Sequence, residues 1–218
     1  MKRWPQMCAG VALLAMISCA TLFAQAPRTT ISRRSETVRP TNEPDPGLTA
    51  IYSNLGSQTD AYDDGISYQI SGPGNLLFGK GYLGMPFTPS EDSTAKEILI
   101  ALGYLGGGNN GGTIGLVEDD NGGPGTPIKT WTSSNFQKEG NCCVMVALKD
   151  ANGISLEGGV QYWIVAGVTS AQDTANYQWN FVWNDASGPV AFLNDNTNGQ
   201  WFPYTDNLAA FAIYGTTP

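Results

Sequence analysis

Short apolar runs rich in Tyr, Trp, Val and Ile alternate with clusters of Gly, Asn, Asp, Ser and Thr through residues 48–218. Regular spacing of short apolar runs and turn residues is typical of an all-β sandwich or barrel. No segment keeps the 3.6-residue apolar period of a capped helix. The pattern predicts an antiparallel β-sandwich of jelly-roll type. Candidate strands cover residues 49–54, 66–70, 82–88, 95–105, 113–118, 128–132, 143–148, 161–168, 177–184, 190–193 and 208–214.

The N-terminal segment, residues 1–26, has the layout of a secretory signal peptide. Lys2 and Arg3 form a basic start, residues 11–17 form a short apolar run, and an A-x-A pattern ends at Ala26. The run is shorter than the ~20 apolar residues that a membrane-spanning helix requires. We therefore expect export to the extracellular space or the cell surface, without a transmembrane segment.

Two alternatives at this terminus stay open. Cleavage after Ala24 competes with cleavage after Ala26, because the latter would leave Pro27 at the new N-terminus. Lipid modification of Cys19 would instead attach the protein to the envelope, although Met16 and Ile17 form a poor lipobox.

The rest of the chain consists of a basic segment followed by an acidic one. Residues 27–47 contain four Arg, four Pro and few large apolar side chains, which predicts a disordered, dispensable linker. From residue 48 onward there are five Lys, no Arg and sixteen Asp or Glu, a net charge near −11. This acidity argues against nucleic acid as a partner, since its binders need basic patches. Residues 48–218 fit one domain.

Residue usage also excludes several catalytic classes. The chain has no histidine, which removes Ser-His-Asp and Cys-His catalysis and histidine-ligated zinc. If Cys19 leaves with the signal peptide, Cys142 and Cys143 are the cysteines left in the mature chain. They either form a vicinal disulfide, stay as two thiols on opposite strand faces, or link two molecules. We expect no cofactor.

The segment LVEDDNGGPGTPIKTW (116–131) places acids, glycines and prolines between two strand-like runs. Consecutive acids lack the alternating oxygen ligands of a calcium loop, so Asp119 and Asp120 are weak metal candidates and a plain turn is favoured. The connection looks too long for a two-residue hairpin. Other acids that could form a glycosidase pair are scattered, and nothing in the sequence brings two together; they are Asp63, Asp64, Glu91, Asp92, Glu97, Glu157 and Asp185.

Aromatic residues are the stronger candidates for binding. Tyr177, Trp179, Phe181 and Trp183 alternate with other residues, so their rings share one strand face, which is either the core or an exposed sugar platform. Trp201 stands in a loop-like NTNGQWFPY segment and is the leading contact. The ligand-binding candidates are Trp201, Trp179, Trp183 and Asn198.

Several segments in order along the chain resemble the choice-of-anchor R family of bacterial secreted modules. They are IYSNLG (51–56), the pair Tyr62-Asp63, PFTPSEDSTAKEILIALGYLGG (86–107), DNGGPGTPI (120–128), NCCVMV (141–146), GVQYWIVAG (159–167), WNFVWNDASGPVAF (179–192) and LAAFAIYG (208–215). The resemblance implies an extracellular β-sandwich of unknown activity. The sequence departs from the family pattern in one respect, because no C-terminal anchoring signal follows YGTTP.

These observations predict a non-enzymatic, exported module that binds a neutral polysaccharide or extracellular matrix, or acts in adhesion. The first alternative is a structural surface module without a small ligand. The second is a glycoside-processing enzyme that uses paired carboxylates. The sequence does not fix the oligomeric state.

Overall fold

The computed structural model describes residues 40–41, 43–57, 60–74, 80–139, 143–168, 174–194 and 197–218. The predicted signal peptide and most of the predicted linker lie outside these residues. The regular elements in the described part are fourteen strands. They are β1 (Pro40–Thr41), β2 (Thr49–Ser53), β3 (Ser67–Ser71), β4 (Gly81–Phe87), β5 (Ser93–Ile100), β6 (Leu102–Gly106), β7 (Gly111–Asp120), β8 (Gly123–Ser134), β9 (Met145–Leu156), β10 (Tyr162–Val168), β11 (Asn176–Asn180), β12 (Ser187–Asn194), β13 (Phe202–Asn207) and β14 (Phe211–Thr216).

The strands form three antiparallel sheets packed against each other. The first has the order β1-β9-β5-β14-β2, the second β13-β12-β4-β10-β7-β8, and the third β3-β11-β6. We call them the five-, six- and three-stranded sheets. The predicted all-β sandwich is confirmed, and the jelly-roll connectivity stays a prediction.

Alternation along the strands creates the core. Leu83, Met85 and Ile164 share one face of the six-stranded sheet, and Ile98 and Phe211 share one face of the five-stranded sheet. All five are at most 2% exposed. Burial of each such side chain contributes about 1.5–3 kcal/mol to stability, which makes these two facing surfaces the main source of fold stability.

The hairpin between β7 and β8 corrects one sequence-based expectation. Asp120 pairs with Gly123, so the turn contains two residues, Asn121 and Gly122, with φ angles of 54° and 86°. Positive φ at both positions is the signature of an Asn-Gly type I′ turn. The connection looked longer because β8 continues through the proline-containing segment, and register shifts near Val117 accommodate it.

Other strand boundaries also differ from the predicted ones. The run 95–105 is divided at Ala101 into β5 and β6, which belong to different sheets. The predicted strand 177–184 ends at Asn180 as β11. Residues 202–207 form an edge strand, β13, that the sequence did not reveal because Pro203, Asp206 and Asn207 are poor strand formers.

The folded region also begins earlier than residue 48. Pro40 and Thr41 pair with Val146 and Met145 of β9, inside the predicted linker. The Asp45 backbone N–H donates to Glu97 Oε2 at 2.7 Å, and the Asp45 carboxylate pairs with Lys149. Residues 40–47 are therefore part of the folded unit, because they supply partners to a carboxylate that is 1% exposed.

Glu97, Lys149 and Asp45 form an acid–base–acid cluster on the five-stranded sheet. Lys149 Nζ lies 3.4 Å from Glu97 Oε1. Burial lowers the pKa of Lys149, but the hydrogen bond to Asp45 and the charges of Glu97 and Asp45 outweigh it and raise that pKa. The stabilisation from this raised pKa is present below the unfolded lysine pKa of about 10.4 and is lost as the pH rises through the folded value.

Replacing the cation of this cluster should cost more than replacing its exposed acid. Lys149→Met leaves Glu97 buried without a counter-charge and should destabilise the protein by about 2–3 kcal/mol, or roughly 5–10 °C in Tm. Asp45→Asn, at a half-exposed position, should cost less than about 1 kcal/mol. Thermal unfolding of both variants measures the difference.

The double variant Glu97→Gln, Lys149→Met serves as the control. It removes the buried charge of Glu97 together with its partner charge, so it should recover most of the stability lost in Lys149→Met. Equal Tm values for Lys149→Met and Asp45→Asn would contradict this assignment.

Candidate functional site

The alternating aromatic residues belong mostly to the core. Tyr177, Trp179 and Phe181 are 1%, 0% and 7% exposed, and Trp179 Nε1 donates to Ala210 O at 2.9 Å. Trp179 therefore offers no surface to a ligand, which corrects its place among the binding candidates. Trp183 is 53% exposed because the strand has ended before it.

The opposite face of β11 is buried as well. Gln178 and Asn180 are 6% and 2% exposed, although polar residues that alternate with aromatic ones on a strand usually face solvent. The Asn180 side-chain amide donates to Asp63 O at 2.9 Å. The three-stranded sheet thus has packing on both faces, and the side chains of Gln178 and Asn180 have internal partners.

The two candidates in the segment before β13 also change role. Trp201 is partly buried and packs on Val117, Trp163 and Ala191, on the outer face of the six-stranded sheet. Asn198 is exposed and takes a φ of 52° in the turn that precedes β13. Trp201 therefore covers the sheet, and Asn198 shapes a turn.

An exposed ring lies one residue further along, beside a half-buried one. Phe202 is 63% exposed, and its ring centroid lies 6.2 Å from that of Tyr204 with an interplanar angle of 31°. Both point to the same face because they alternate on β13, the edge strand of the six-stranded sheet. Tyr68 of β3 adjoins Tyr204 through its hydroxyl. We call Tyr68, Phe202 and Tyr204 the aromatic strip.

Polar groups accompany the aromatic strip. The Tyr68 hydroxyl donates to Asn207 O at 2.8 Å. Burial and the nearby Asp206 carboxylate raise the pKa of Tyr204, and burial with the neighbouring Tyr204 and Asp206 raises that of Tyr68. Both phenols therefore keep their proton at neutral pH and stay hydrogen-bond donors.

Sequence reasoning selected Trp201 and missed its neighbours. The signal was present as the F-x-Y spacing of Phe202 and Tyr204, which puts two rings on one face of any strand. It was overlooked because residues 198–203 were interpreted as a loop. Trp201 lies on the other side of the sheet, since its contacts are with Trp163 and not with the main core.

Several acids converge on a cleft that the sequence did not predict. It has a volume of about 990 Å³ and lies among β5, β7, β9 and β10. Its acidic lining is Asp92, Glu118, Asp119 and Glu157. We call it the acidic cleft. The other acids singled out from the sequence do not line it; these are Asp63, Asp64, Glu91, Glu97, Asp120 and Asp185.

Asp119 connects the hairpin turn to β10. Its Oδ1 accepts hydrogen bonds from Trp163 Nε1 at 2.7 Å and Gln161 Nε2 at 2.6 Å, and its Oδ2 accepts one from Gly122 N at 3.0 Å. Burial would raise the pKa of Asp119, but these three hydrogen bonds outweigh it and lower that pKa. The carboxylate has a structural role, because protein donors occupy both oxygens.

Asp120 has a local partner instead. Its Oδ1 accepts a hydrogen bond from the Asn121 side chain at 2.7 Å. Across the described ranges, no group of three or more acidic, Cys or His side chains is arranged to hold a metal ion.

Cys143 is buried, at 9% exposure, and takes part in a disulfide. Cys142 lies outside the described residues, so the vicinal disulfide stays a prediction. Cys143 adjoins Val144, whose backbone carbonyl accepts a hydrogen bond from the Tyr62 hydroxyl at 3.1 Å.

Comparison of the chain with protein-family models, with curated proteins and with solved structures finds no match in any of the three. In the part of the chain that the structure describes, no helix has the length and apolar character needed to cross a membrane.

Asp119→Ala should destabilise the protein, and this destabilisation should not depend on a metal ion. The substitution leaves the Trp163 indole N–H without an acceptor and should cost about 2–3 kcal/mol. Because the Asp119 pKa is lowered, its contribution is present above about pH 4 and is lost as the pH falls through the folded value. Thermal unfolding at pH 7 and at pH 3 should show a smaller difference between wild type and variant at pH 3.

Millimolar calcium should leave the Tm of the wild type unchanged, since a ligand stabilises a protein only through its preference for the native state. A large upward shift that Asp119→Ala or Asp120→Ala abolishes would show that this turn binds metal after all.

Proposed function

We propose that the protein is an exported, non-enzymatic β-sandwich module that binds a neutral polysaccharide through the aromatic strip. The observation that carries the proposal is the exposed Phe202 ring beside the half-buried Tyr204 ring on an edge strand, with the two ring planes tilted by 31°. The signal-peptide pattern and the resemblance to secreted choice-of-anchor modules support an extracellular or cell-surface setting. Attachment through a lipidated Cys19 is the alternative within that setting.

The chemistry of the aromatic strip suits a neutral sugar chain. A pyranose ring presents an apolar face of C–H groups, and an exposed aromatic ring has an apolar face to receive it. The Tyr204 hydroxyl keeps its proton and can donate to a sugar hydroxyl, whereas the Tyr68 hydroxyl donates its proton to Asn207 O and can accept from a sugar hydroxyl. The Asp206 carboxylate can accept from further sugar hydroxyls.

Charge narrows the choice of ligand further. The region from residue 48 onward carries five Lys and sixteen Asp or Glu, so it repels anionic polymers. The exposed side chain of Asp206 belongs to β13 itself. A neutral polysaccharide pays no electrostatic penalty at this surface, whereas an acidic one does. Extracellular matrix that displays neutral glycans fits the same surface.

A structural or adhesive role without a small ligand is the first alternative. A single exposed ring such as Trp183 is normal for a soluble protein. The rings of Phe202 and Tyr204 instead lie next to each other, with 6.2 Å between their centroids and phenol hydroxyls nearby. This clustering favours a binding surface over singly scattered surface rings.

Glycoside processing is the second alternative, because the acidic cleft assembles four carboxylates. A glycosidase needs one carboxyl group with a raised pKa as its general acid. The pKa of Asp119 is lowered, so Asp119 does not meet that requirement. We therefore keep binding without catalysis as the proposed function.

Phe202→Ala should weaken binding to a neutral polysaccharide about tenfold or more, because a ring–sugar stack is worth an energy similar to an aromatic pair plus its buried area. Its Tm should stay within a few degrees of wild type, since the ring is 63% exposed. A glycan array identifies the ligand, and affinity electrophoresis in gels that contain it measures the loss.

Trp183→Ala is the matched control. It removes a ring of comparable exposure that lies outside the aromatic strip, and it should bind as wild type does. Equal losses in the two variants, or retention of wild-type affinity in Phe202→Ala, would refute the assignment of the aromatic strip. Absence of binding to any neutral glycan would leave the structural role.

A further inference from the structure

The acidic cleft lies apart from the aromatic strip and has its own chemistry. Its lining combines four carboxylates with the hydroxyls of Ser93, Thr94 and Ser155 and the amide of Gln161. Among the described residues that line it, none is Lys or Arg. A concave surface with one sign of charge focuses the electrostatic potential and raises the local concentration of ions of opposite charge.

The carboxylates of the cleft are not equivalent. Both oxygens of Asp119 accept hydrogen bonds from protein donors, and Asp92 Oδ1 accepts from Gly158 N at 2.9 Å. Glu118 and Glu157 are exposed and form no ion pair with a described residue. These two carboxylates are therefore available to a ligand, while the other two shape the cleft.

A second observation, independent of the charge, also indicates a ligand. Ser93 lines the cleft and is 7% exposed, yet its hydroxyl has no hydrogen-bond partner in the structure. A buried hydroxyl without a partner costs roughly as much as a lost hydrogen bond. A ligand with polar hydrogens in the cleft would supply that partner.

We propose that the acidic cleft binds a small organic cation that carries a primary ammonium group. An ammonium has three N–H donors and no acceptor, which matches a lining of carboxylate and hydroxyl oxygens. Val160, at 39% exposure, and the ring of Tyr162 offer apolar contact to the carbon skeleton next to that group. Both a linear polyamine and an amino sugar carry this chemistry.

A metal ion fits the cleft less well. Its acids do not converge as a group of three or more with ligating geometry in the described part of the chain. An organic cation tolerates this spread, because charge attraction in a concave acidic surface acts over several ångströms and an extended skeleton can reach separate carboxylates.

Calorimetric titration of the full chain tests the proposal with two ammonium probes, 1,6-diaminohexane and glucosamine. Neutral N-acetylglucosamine is the matched ligand control. The double variant Glu118→Gln, Glu157→Gln should bind the ammonium probes about tenfold more weakly or worse. The single variant Ser93→Ala should bind them about threefold more weakly. The probe that binds more tightly shows whether the natural ligand resembles a linear polyamine or an amino sugar. The affinity of that probe should fall as salt is added.

A second double variant, Glu139→Gln, Asp185→Asn, removes the same amount of charge at exposed positions outside the cleft and should bind as wild type does. Equal weakening in both double variants would show unspecific attraction to an acidic protein and overturn the proposal. It is also overturned if neither ammonium probe binds, if N-acetylglucosamine binds as tightly, or if calcium binds and displaces the probes. These outcomes are independent of polysaccharide binding by the aromatic strip, which Phe202→Ala tests.

Discussion

The carboxylate of Asp119 makes the contacts on which the surroundings of both candidate sites depend. Its three hydrogen bonds join the Asn121-Gly122 turn to Gln161 and Trp163 of β10. The hairpin is thereby held against the outer face of the six-stranded sheet. There Pro124 approaches Gly84 so closely that a Cβ added at Gly84 would lie 2.9 Å from Pro124 Cγ. A larger residue at position 84 would displace the hairpin.

The hairpin that Asp119 holds in place lies between the two candidate sites. On one side of the hairpin, Trp201 packs beside Gly123 and on Trp163, which fixes the start of β13 and hence the position of Phe202 and Tyr204. On the other side, Asp119 itself lines the acidic cleft. The residue that the sequence marked as a possible metal ligand is thus the residue that shapes the surroundings of both sites. The chemistry of those sites comes from its neighbours.

The sequence was sufficient for the fold class because side-chain alternation and turn residues depend on local geometry. It placed Tyr177 and Trp179 on one strand face, and the structure puts that face in the core. It failed where partners are distant along the chain. The burial of Glu97 depends on Asp45 and Lys149, and the acidic cleft brings Asp92 together with Glu157 across 65 residues. Neither arrangement leaves a periodic signal.

The prediction that Trp201 is the exposed contact was wrong for a different reason. Trp201 was preferred because a tryptophan beside Asn and Gly suggests an exposed ring, yet tertiary packing on Trp163 covers it and leaves Phe202 exposed. Which of two neighbouring aromatic residues faces solvent depends on the strand register. That register follows from the pairing of Phe202 with Phe192, and composition carries no information about it.

Mapping of the bound polysaccharide by NMR tests the central claim most directly. Aromatic resonances of the full chain are assigned and followed while a neutral oligosaccharide is added. The account predicts that the ring signals of Phe202, Tyr204 and Tyr68 shift together, while those of Trp201 and Trp183 remain in place. Shifts centred on Trp201, on Trp183 or on the residues of the acidic cleft would contradict it.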